Sequence, residues 1–390
     1  MRLCPITQFE HVRIADCAKV ITGSTPSKRE AAFWGGQVPF VTPAQLGTNK
    51  PIESASEGLT ERGVEQARLL PRNAVLVCCI GSLGKTGITG RPVVTNQQIN
   101  AIVFDPERVH TRYGYHATRQ LKPLLDHYAP STTVRIVKKS IFEGIEIPLP
   151  PLPEQKRIAK ILDAADALRA KRRESIAQLD KLIQATFLDM FGDPVTNPKG
   201  WEVASLGDVA DFHAGSTLPA GEPYSGQNGG FLYLKVGDLN DSENRRTVLR
   251  SREWGKTRQK GVSAPADSVV IPKRGGAIGT NKKRLLGRPA VLDPNLMAIS
   301  VKDRLHPVYL YTWFHSFDLL SITSGSTVPQ LNKRDLAPLQ IPVPPIRLQS
   351  QFSDIIQSTY GFRSCLEAHA SELLSLFVSL QTRAFSGMLA

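Results

Sequence analysis

The sequence predicts a mixed α/β (α+β) protein in which two repeated globular domains are joined by two long helices forming an antiparallel coiled coil. Three observations carry that expectation. The 390-residue chain repeats itself at an offset near 194 residues. Each copy opens with roughly 150 residues in which short β-branched and apolar runs alternate with Gly, Pro, Asn and Ser turns. Each copy then closes on a long run with helical spacing of its apolar residues.

The repeat is clearest where IPLPPLPEQKRIAKIL (Ile147 to Leu162) returns as IPVPPIRLQSQFSDII (Ile341 to Ile356). Other segments return in the same order. TGSTPS from Thr22 answers AGSTLP from Ala214, and FVTPAQLG from Phe40 answers YLKVGDLN from Tyr233. LPRNAVLV from Leu70 answers APADSVVI from Ala264, and GRPVVTNQQINAI from Gly90 answers GRPAVLDPNLMAI from Gly287. Five collinear matches divide the chain into a first domain (1–150), a central helix (151–192), a second domain (193–344) and a C-terminal helix (345–390).

In the domains, VPFVT, AVLVCCI and NAIVF, and later FLYLKV, SVVIP and LMAISV, read as short strands, with YGYHATRQLKPLLDHYA as a helical segment. After the prolines of IPLPPLP, no Gly or Pro interrupts the chain from Glu154 to Phe191. Pro153 suits a first helical position, Glu154 complements the helix dipole, and Gly192 with Pro194 stops the helix. Such a helix spans about 57 Å at about 1.5 Å per residue. Ile158, Ile161, Leu162, Ala165, Leu168, Ile176, Leu179, Ile183 and Phe187 recur by threes and fours along it, with Leu188 beside them. The second copy supplies Phe352, Ile355, Ile356, Phe362, Leu366, Leu373, Phe377 and Leu380. Two stripes of one period predict mutual packing, and the domain between the helices lets an antiparallel pair close within one chain. The expected arrangement is two globules held apart by a two-helix rod.

Composition bounds the function. Forty-eight Lys and Arg against 35 Asp and Glu leave a net charge of +13 and a pI near 9.6, pointing to a polyanion, nucleic acid before anionic membrane. The copies carry +7 and +6, so both can meet phosphate. No apolar run reaches the ~20 residues of a membrane span, and the N-terminus lacks a secretory signal, which predicts a cytoplasmic protein without a membrane partner. Cys4, Cys17, Cys78, Cys79 and Cys365 form no CxxC pair and the eight histidines no cluster, so reduced thiols and no bound metal are expected.

The stretch CCIGSLGKTG (Cys78 to Gly87) invites a nucleotide-hydrolase reading. A phosphate-binding loop needs Gly at the position of Cys79, and Gly81 leaves only two spacers before Gly84-Lys85-Thr86. The corresponding second turn, PKRGGAIGTNKK, has Thr280 but no Gly-Lys-Thr. No catalytic residue or cofactor site is expected in this chain. The glycines fit a nucleic-acid-facing loop better, with Ser82, Lys85 and Thr86 as DNA-contact candidates. Their second-copy counterparts are Lys273, Arg274, Lys282, Lys283 and Arg284. Further candidates are Lys28 and Arg29 beside GST, Arg135, Lys138 and Lys139 after STTV, Arg245 and Arg246, and Lys333 and Arg334 after STVPQ. STTVRIVKKS (from Ser131) and GSTVPQLNKR (from Gly325) align at the 194 offset. Lys171, Arg172 and Arg173 belong to a solvated or partner-facing helix side.

Two globular segments, each followed by a PLPPLPEQ-type stretch and a long helix, with FGDP after the first helix, resemble the specificity subunit of type I restriction-modification systems. The most specific elements are IPLPPLPEQKRIAKIL, LDKLIQATFLDMFGDP and the weaker IPVPPIRLQSQF, where Arg347 and Leu348 replace Pro-Glu but Gln349 still matches Gln155. The resemblance implies that each globule is a target-recognition domain reading one half of a split double-stranded DNA target. The helices would then be the spacers on which two modification (methyltransferase) subunits dock, with restriction (translocase/nuclease) subunits as an open addition. It implies a non-catalytic chain, with S-adenosylmethionine, ATP and Mg in partner subunits. No Asn/Asp-Pro-Pro-Tyr/Phe motif, S-adenosylmethionine loop, nuclease motif or GxSxG elbow occurs. The alternatives are a P-loop enzyme and a coiled-coil adaptor that binds DNA without sequence preference.

Overall fold

The computed structural model describes residues 9–129, 134–258, 263–323 and 329–389. They form two compact units, 1–175 with 366–390 and 176–365. The first unit is discontinuous in sequence and the second continuous, and each takes part of both long helices.

The first unit is built on two four-stranded sheets. One runs in the order Ala18–Thr22, Ile99–Phe104, Val75–Cys78 and Thr86–Ile88, all antiparallel. The other runs Glu57–Leu59, Trp34–Val41, Val93–Thr95 and Leu69–Leu70, with a parallel pairing at its centre. AVLVCCI is buried from Ala74 to Cys79, and Cys79 is pushed up to about 12 by burial, so it is an inert apolar group rather than a reactive thiol. The second unit repeats the plan with two five-stranded sheets. Ala210–Ala214, Leu296–Val301, Val269–Pro272 and Arg284–Leu286 match the first sheet strand for strand, and Thr247–Val248 adds a parallel edge.

The long helices span Leu152–Phe191 and Ile346–Ser386. The first begins two residues before Glu154, with Pro153 in its opening turn. Gly192 (φ 79°) ends it in the left-handed conformation and donates its N–H to the Leu188 carbonyl at 2.8 Å. Gly387 (φ 80°) follows the second helix.

A buried glutamine fixes each helix to its globule. Gln155 is fully buried; its Oε1 accepts the His110 N–H (2.8 Å), and its Nε2 donates to the carbonyls of Arg108 (2.9 Å) and Pro150 (2.8 Å). Gln349 does the same with the His306 N–H (2.8 Å) and the Arg304 (3.1 Å) and Pro344 (2.7 Å) carbonyls. Beside each, a buried tyrosine caps a proline carbonyl: Tyr113 to Pro148 (2.7 Å) and Tyr309 to Pro342 (2.8 Å). Proline cannot donate, so the PLPPLP stretch leaves carbonyls that these side chains satisfy.

The helix segments inside each unit run antiparallel, as the stripes predict. In the first unit Arg157 donates to the Leu389 carbonyl (2.5 Å), and the Arg169 guanidinium lies 4.4 Å from the Phe377 ring centroid. In the second, Asp180 pairs with Arg363, while Phe187 and Phe191 meet Phe352 at 5.7 and 5.3 Å. The stripe is not a uniform coiled-coil seam. Ile158, Leu162 and Phe377 enter the core of the first globule, and Ile183, Phe187, Phe352 and Ile356 enter that of the second. Leu366 is buried, whereas Ile161, Ala165, Ile176, Leu179, Leu373 and Leu380 are half-buried. Leu168, Ile355 and Phe362, expected in the seam, are exposed, as is Leu188. A 3.6-residue helix drifts off a two-helix seam, and near its ends its apolar face is taken by a sheet-bearing core.

Gln155→Leu strands the His110 N–H and two carbonyls in a dry site. Each unsatisfied group costs about 1–3 kcal/mol, so the first unit should lose about 3 kcal/mol in chemical denaturation. A loss below about 0.5 kcal/mol, the range of an ordinary surface change, would contradict the clamp.

Candidate nucleic-acid interface

The stretch GSLGKTG is the turn of a β-hairpin. Val77 pairs with Thr86 across the antiparallel strands Val75–Cys78 and Thr86–Ile88, and the Cys78 N–H and carbonyl bond Lys85 and Gly84 respectively. A phosphate-binding loop must open a helix whose first N–H groups face the anion. Here a strand follows, Cys79 is buried, and the Thr86 hydroxyl that would hold magnesium is buried. The nucleotide-hydrolase alternative fails on this geometry. Gly81 (φ 77°) and Gly84 (φ 75°) are left-handed, and a Cβ on Gly84 would sit 2.8 Å from the Lys122 side chain.

This turn is pinned to the basic segment that follows residue 133. The Gly81 N–H donates to the Arg135 carbonyl (2.9 Å) and the Val137 N–H to the Cys79 carbonyl (2.9 Å). The second unit reproduces both bonds at an offset of 194: Gly275 N–H to Pro329 (2.9 Å), and Leu331 N–H to Lys273 (2.9 Å). Each unit thus brings a glycine turn and a basic segment onto one surface, although no single sequence window contains both. The hydroxyl runs at 131–133 and 325–328 lie outside the described residues.

In the first unit Ser82, Lys85, Arg29 and Lys138 are exposed. Lys28 pairs with Glu57 (2.5 Å) and lies 3.9 Å over the Trp34 ring, Arg135 pairs with Asp126 (2.9 Å), and Lys139 with Glu143 (3.3 Å). In the second, Arg274, Lys333, Arg334 and Arg245 are exposed, and Lys282 bonds the Asn240 side chain. Three candidates are corrected by burial. Thr86 (5% exposed) belongs to a core strand. Lys273 (7%) occupies the strand-end position that Cys79 fills in the first copy, with its backbone in the ladder. Lys283 (1%) donates to the Asn281 side chain and the Phe317 carbonyl, both at 2.8 Å, and burial pushes it down to about 8. It ties the turn to the following segment instead of facing a ligand. Arg246 and Arg284 are half-buried, Arg246 over the Tyr360 ring of the C-terminal helix and Arg284 at the start of the strand that follows the turn.

Electrostatics at the helix seams escape the sequence pattern. In the first unit Asp163 accepts from Arg112 Nε (3.0 Å) and faces the buried His116 Nε2 (2.7 Å). The buried Asp166 takes Arg119 (2.6 Å) and Arg169 (2.9 Å). In the second unit Arg246 stacks on Tyr360, 3.5 Å from its centroid. Tyr360 stands 194 residues after Asp166, the only sequence signal that could have pointed to it. Among the described residues no group of three His, Cys, Asp or Glu could hold a metal ion, and no helix is long and apolar enough to cross a membrane.

The model of the type I restriction modification DNA specificity domain matches residues 7–179 and 198–373. The chain belongs to this family. The specificity domain occurs twice, once per repeat. Among similar curated proteins are two type I restriction enzyme specificity subunits of Methanocaldococcus jannaschii. The MjaIX subunit is 24% identical, covering 89% of this chain and 86% of the relative; the MjaVIII subunit is 25% identical, covering 90% and 85%. The fold is shared with the S subunit of a type I restriction-modification system from M. genitalium, at 15% identity over 99% of this chain and 98% of that one, with a TM-score of 0.60. It is shared equally with a chain from a structure of type I R-M complex assembly and conformational transition, at 19% identity over the whole of both chains and a TM-score of 0.58.

The seam predicts acid lability in the first unit. Burial pushes Asp163 up, but hydrogen bonds from His116 and Arg112, and their charge, overcome it and hold the carboxyl at about 2. Burial holds His116 below its usual value against the pull of Asp163. Both groups bind protons more readily when unfolded. The His116 contribution is therefore complete above about 6.5 and lost on acidification, and that of Asp163 is complete above about 3.9 and lost as pH falls toward 2. Unfolding midpoints across this range should drop in that order, and Asp163→Asn should flatten the lower step.

Proposed function

We propose that this chain is the non-catalytic, sequence-specific DNA-binding subunit of a type I restriction-modification complex, working in the cytoplasm. Each unit reads one half of a split double-stranded target. The carrying observation is the duplicated surface: a glycine turn bonded at an offset of 194 to a basic segment, in two units that each match the specificity domain. Two similar but non-identical readers suit a bipartite, asymmetric target, since side chains on the turns set the letters and exposed cations set the register on phosphate.

Methylation and cleavage belong to partner chains: two modification subunits, joined by restriction subunits in a complex that cuts. S-adenosylmethionine, ATP and Mg would be bound there. The partners would dock on the exposed faces of the long helices, where Leu168, Ile355, Phe362 and Leu188 stand open. Lys171, Arg172 and Arg173 lie on the same central helix.

Methylome sequencing of cells expressing the chain with its cognate methyltransferase tests this reading. A split motif should be methylated, and exchanging residues 1–150 for another recognition domain should change one half-site only. Methylation of an unsplit motif, or of none, would overturn it. Lys85→Ala should weaken duplex binding and reduce the slope of log K against log salt by about 0.9, the value for one lost phosphate contact. ATP binding should be absent in both proteins.

A further inference from the structure

The two units differ in how they neutralise the seam between globule and helix. In the first, the arginines that reach the central helix meet carboxylates: Arg112 meets Asp163, and Arg119 and Arg169 share Asp166. In the second, Asp166 is replaced at the 194 offset by Tyr360 and Asp163 by Gln357. Arg363, the counterpart of Arg169, takes Asp180. Arg246 and Arg284 form no ion pair with any described carboxylate, and the buried Nε atom of each has no hydrogen-bond partner.

These two arginines are neighbours. The Leu285 N–H donates to the Arg246 carbonyl (2.8 Å), in register with the parallel pairing of Thr247 and Leu285. Arg246 lies flat on Tyr360, 3.5 Å from the ring centroid, and 6.0 Å from that of Tyr311. Arg284 uses its terminal nitrogens on the carbonyls of Lys283 (2.8 Å) and Leu239 (3.4 Å). Burial disfavours both charges, offset by Tyr360 and Tyr311 at Arg246 and by Tyr311 at Arg284, with no carboxylate contributing at either. A half-buried guanidinium without a counter-charge is costly to keep unless an anion completes it. A guanidinium stacked on an aromatic face keeps its N–H edge for a planar, bidentate acceptor such as phosphate.

We infer that Arg246 and Arg284, backed by Tyr360 and Tyr311, form a phosphate-binding site of the second unit that takes a DNA backbone phosphodiester, a site the first unit has closed with its own carboxylates. The inference rests on the DNA reading above. The position favours nucleic acid over an acidic protein, because Arg284 opens the strand directly after the glycine turn that carries Arg274 and Lys282. The phosphate so held lies next to the bases that the turn meets, so it fixes the register of the second half-site without specifying a letter.

The test is a salt titration of full-length chain binding to random-sequence duplex DNA between about 50 and about 200 mM salt. Arg246→Gln and Arg284→Gln should each lower the slope of log K against log salt by about 0.9. Arg246→Lys, which retains the charge, should keep most of it. Tyr360→Asp leaves both arginines in place and restores the carboxylate found in the first unit; it should reduce binding as the glutamine variants do while raising thermal stability. That variant decides the matter even if the arginine variants fold poorly. Unchanged slopes beside a normal wild-type slope overturn the site alone, and absence of salt-dependent binding by the wild type overturns the DNA reading beneath it. Loss of methyltransferase assembly with an unchanged DNA slope would assign the arginines to a protein carboxylate and equally overturn the site.

Discussion

The structure depends on one buried side chain used twice. Proline-rich approaches to the long helices deny the backbone its donors and leave carbonyls and a neighbouring N–H in dry surroundings. Gln155 and Gln349 are long enough, and carry both donor and acceptor, to satisfy three such groups each. The bond from His110 or His306 is decisive, because that residue precedes the helix lying against the sheet. The amide therefore locks the start of each long helix to one end of the globular helix Thr111–Arg119 or Pro307–Phe314. Glutamate would bring a buried charge and lose the donor. Leucine would fill the space and satisfy nothing.

With that junction fixed, the rest of each helix can serve two purposes. Its first turns finish a globular core, where Ile158 and Leu162, or Phe352 and Ile356, sit among strand residues. Further along, the same face meets the antiparallel segment of the other long helix, and hydrophobic contact gives way to cations over aromatic rings and ion pairs such as Asp180 with Arg363. Because every unit needs one segment from each helix, neither half of the chain completes its own core without the other.

Duplication fixed the scaffold while leaving its chemistry free to diverge. The clamps, the tyrosine caps and the turn-to-segment bonds repeat almost atom for atom, since any change would strand a buried polar group. The charges do not repeat. Carboxylates that neutralise the first seam are absent from the second, and a buried cysteine in one turn corresponds to a buried lysine in the other. Such positions tolerate change because their backbone bonds are unaffected by the side chain.

The duplication, the strand-rich globules, both helices and their antiparallel sense were legible in the sequence, since hydrophobic period and proline placement are local properties that a repeat doubles in weight. The exposed positions Leu168, Ile355 and Phe362 share that period but not its partner, and a period cannot say which surface will cover it. The same limit governs the interface. Lys85 and Arg274 could be chosen as exposed cations by type alone, whereas Thr86, Lys273 and Lys283 carry the same chemistry and are buried, because hairpin register decides which side of a strand meets water. By itself the sequence determined that one unit was written twice and that its partner is a polyanion. Only tertiary structure decided which basic groups face outward, which are spent on the protein's own carbonyls, and which wait beside a tyrosine where the other copy keeps an aspartate. Burial and pairing are settled by residues far apart in the chain.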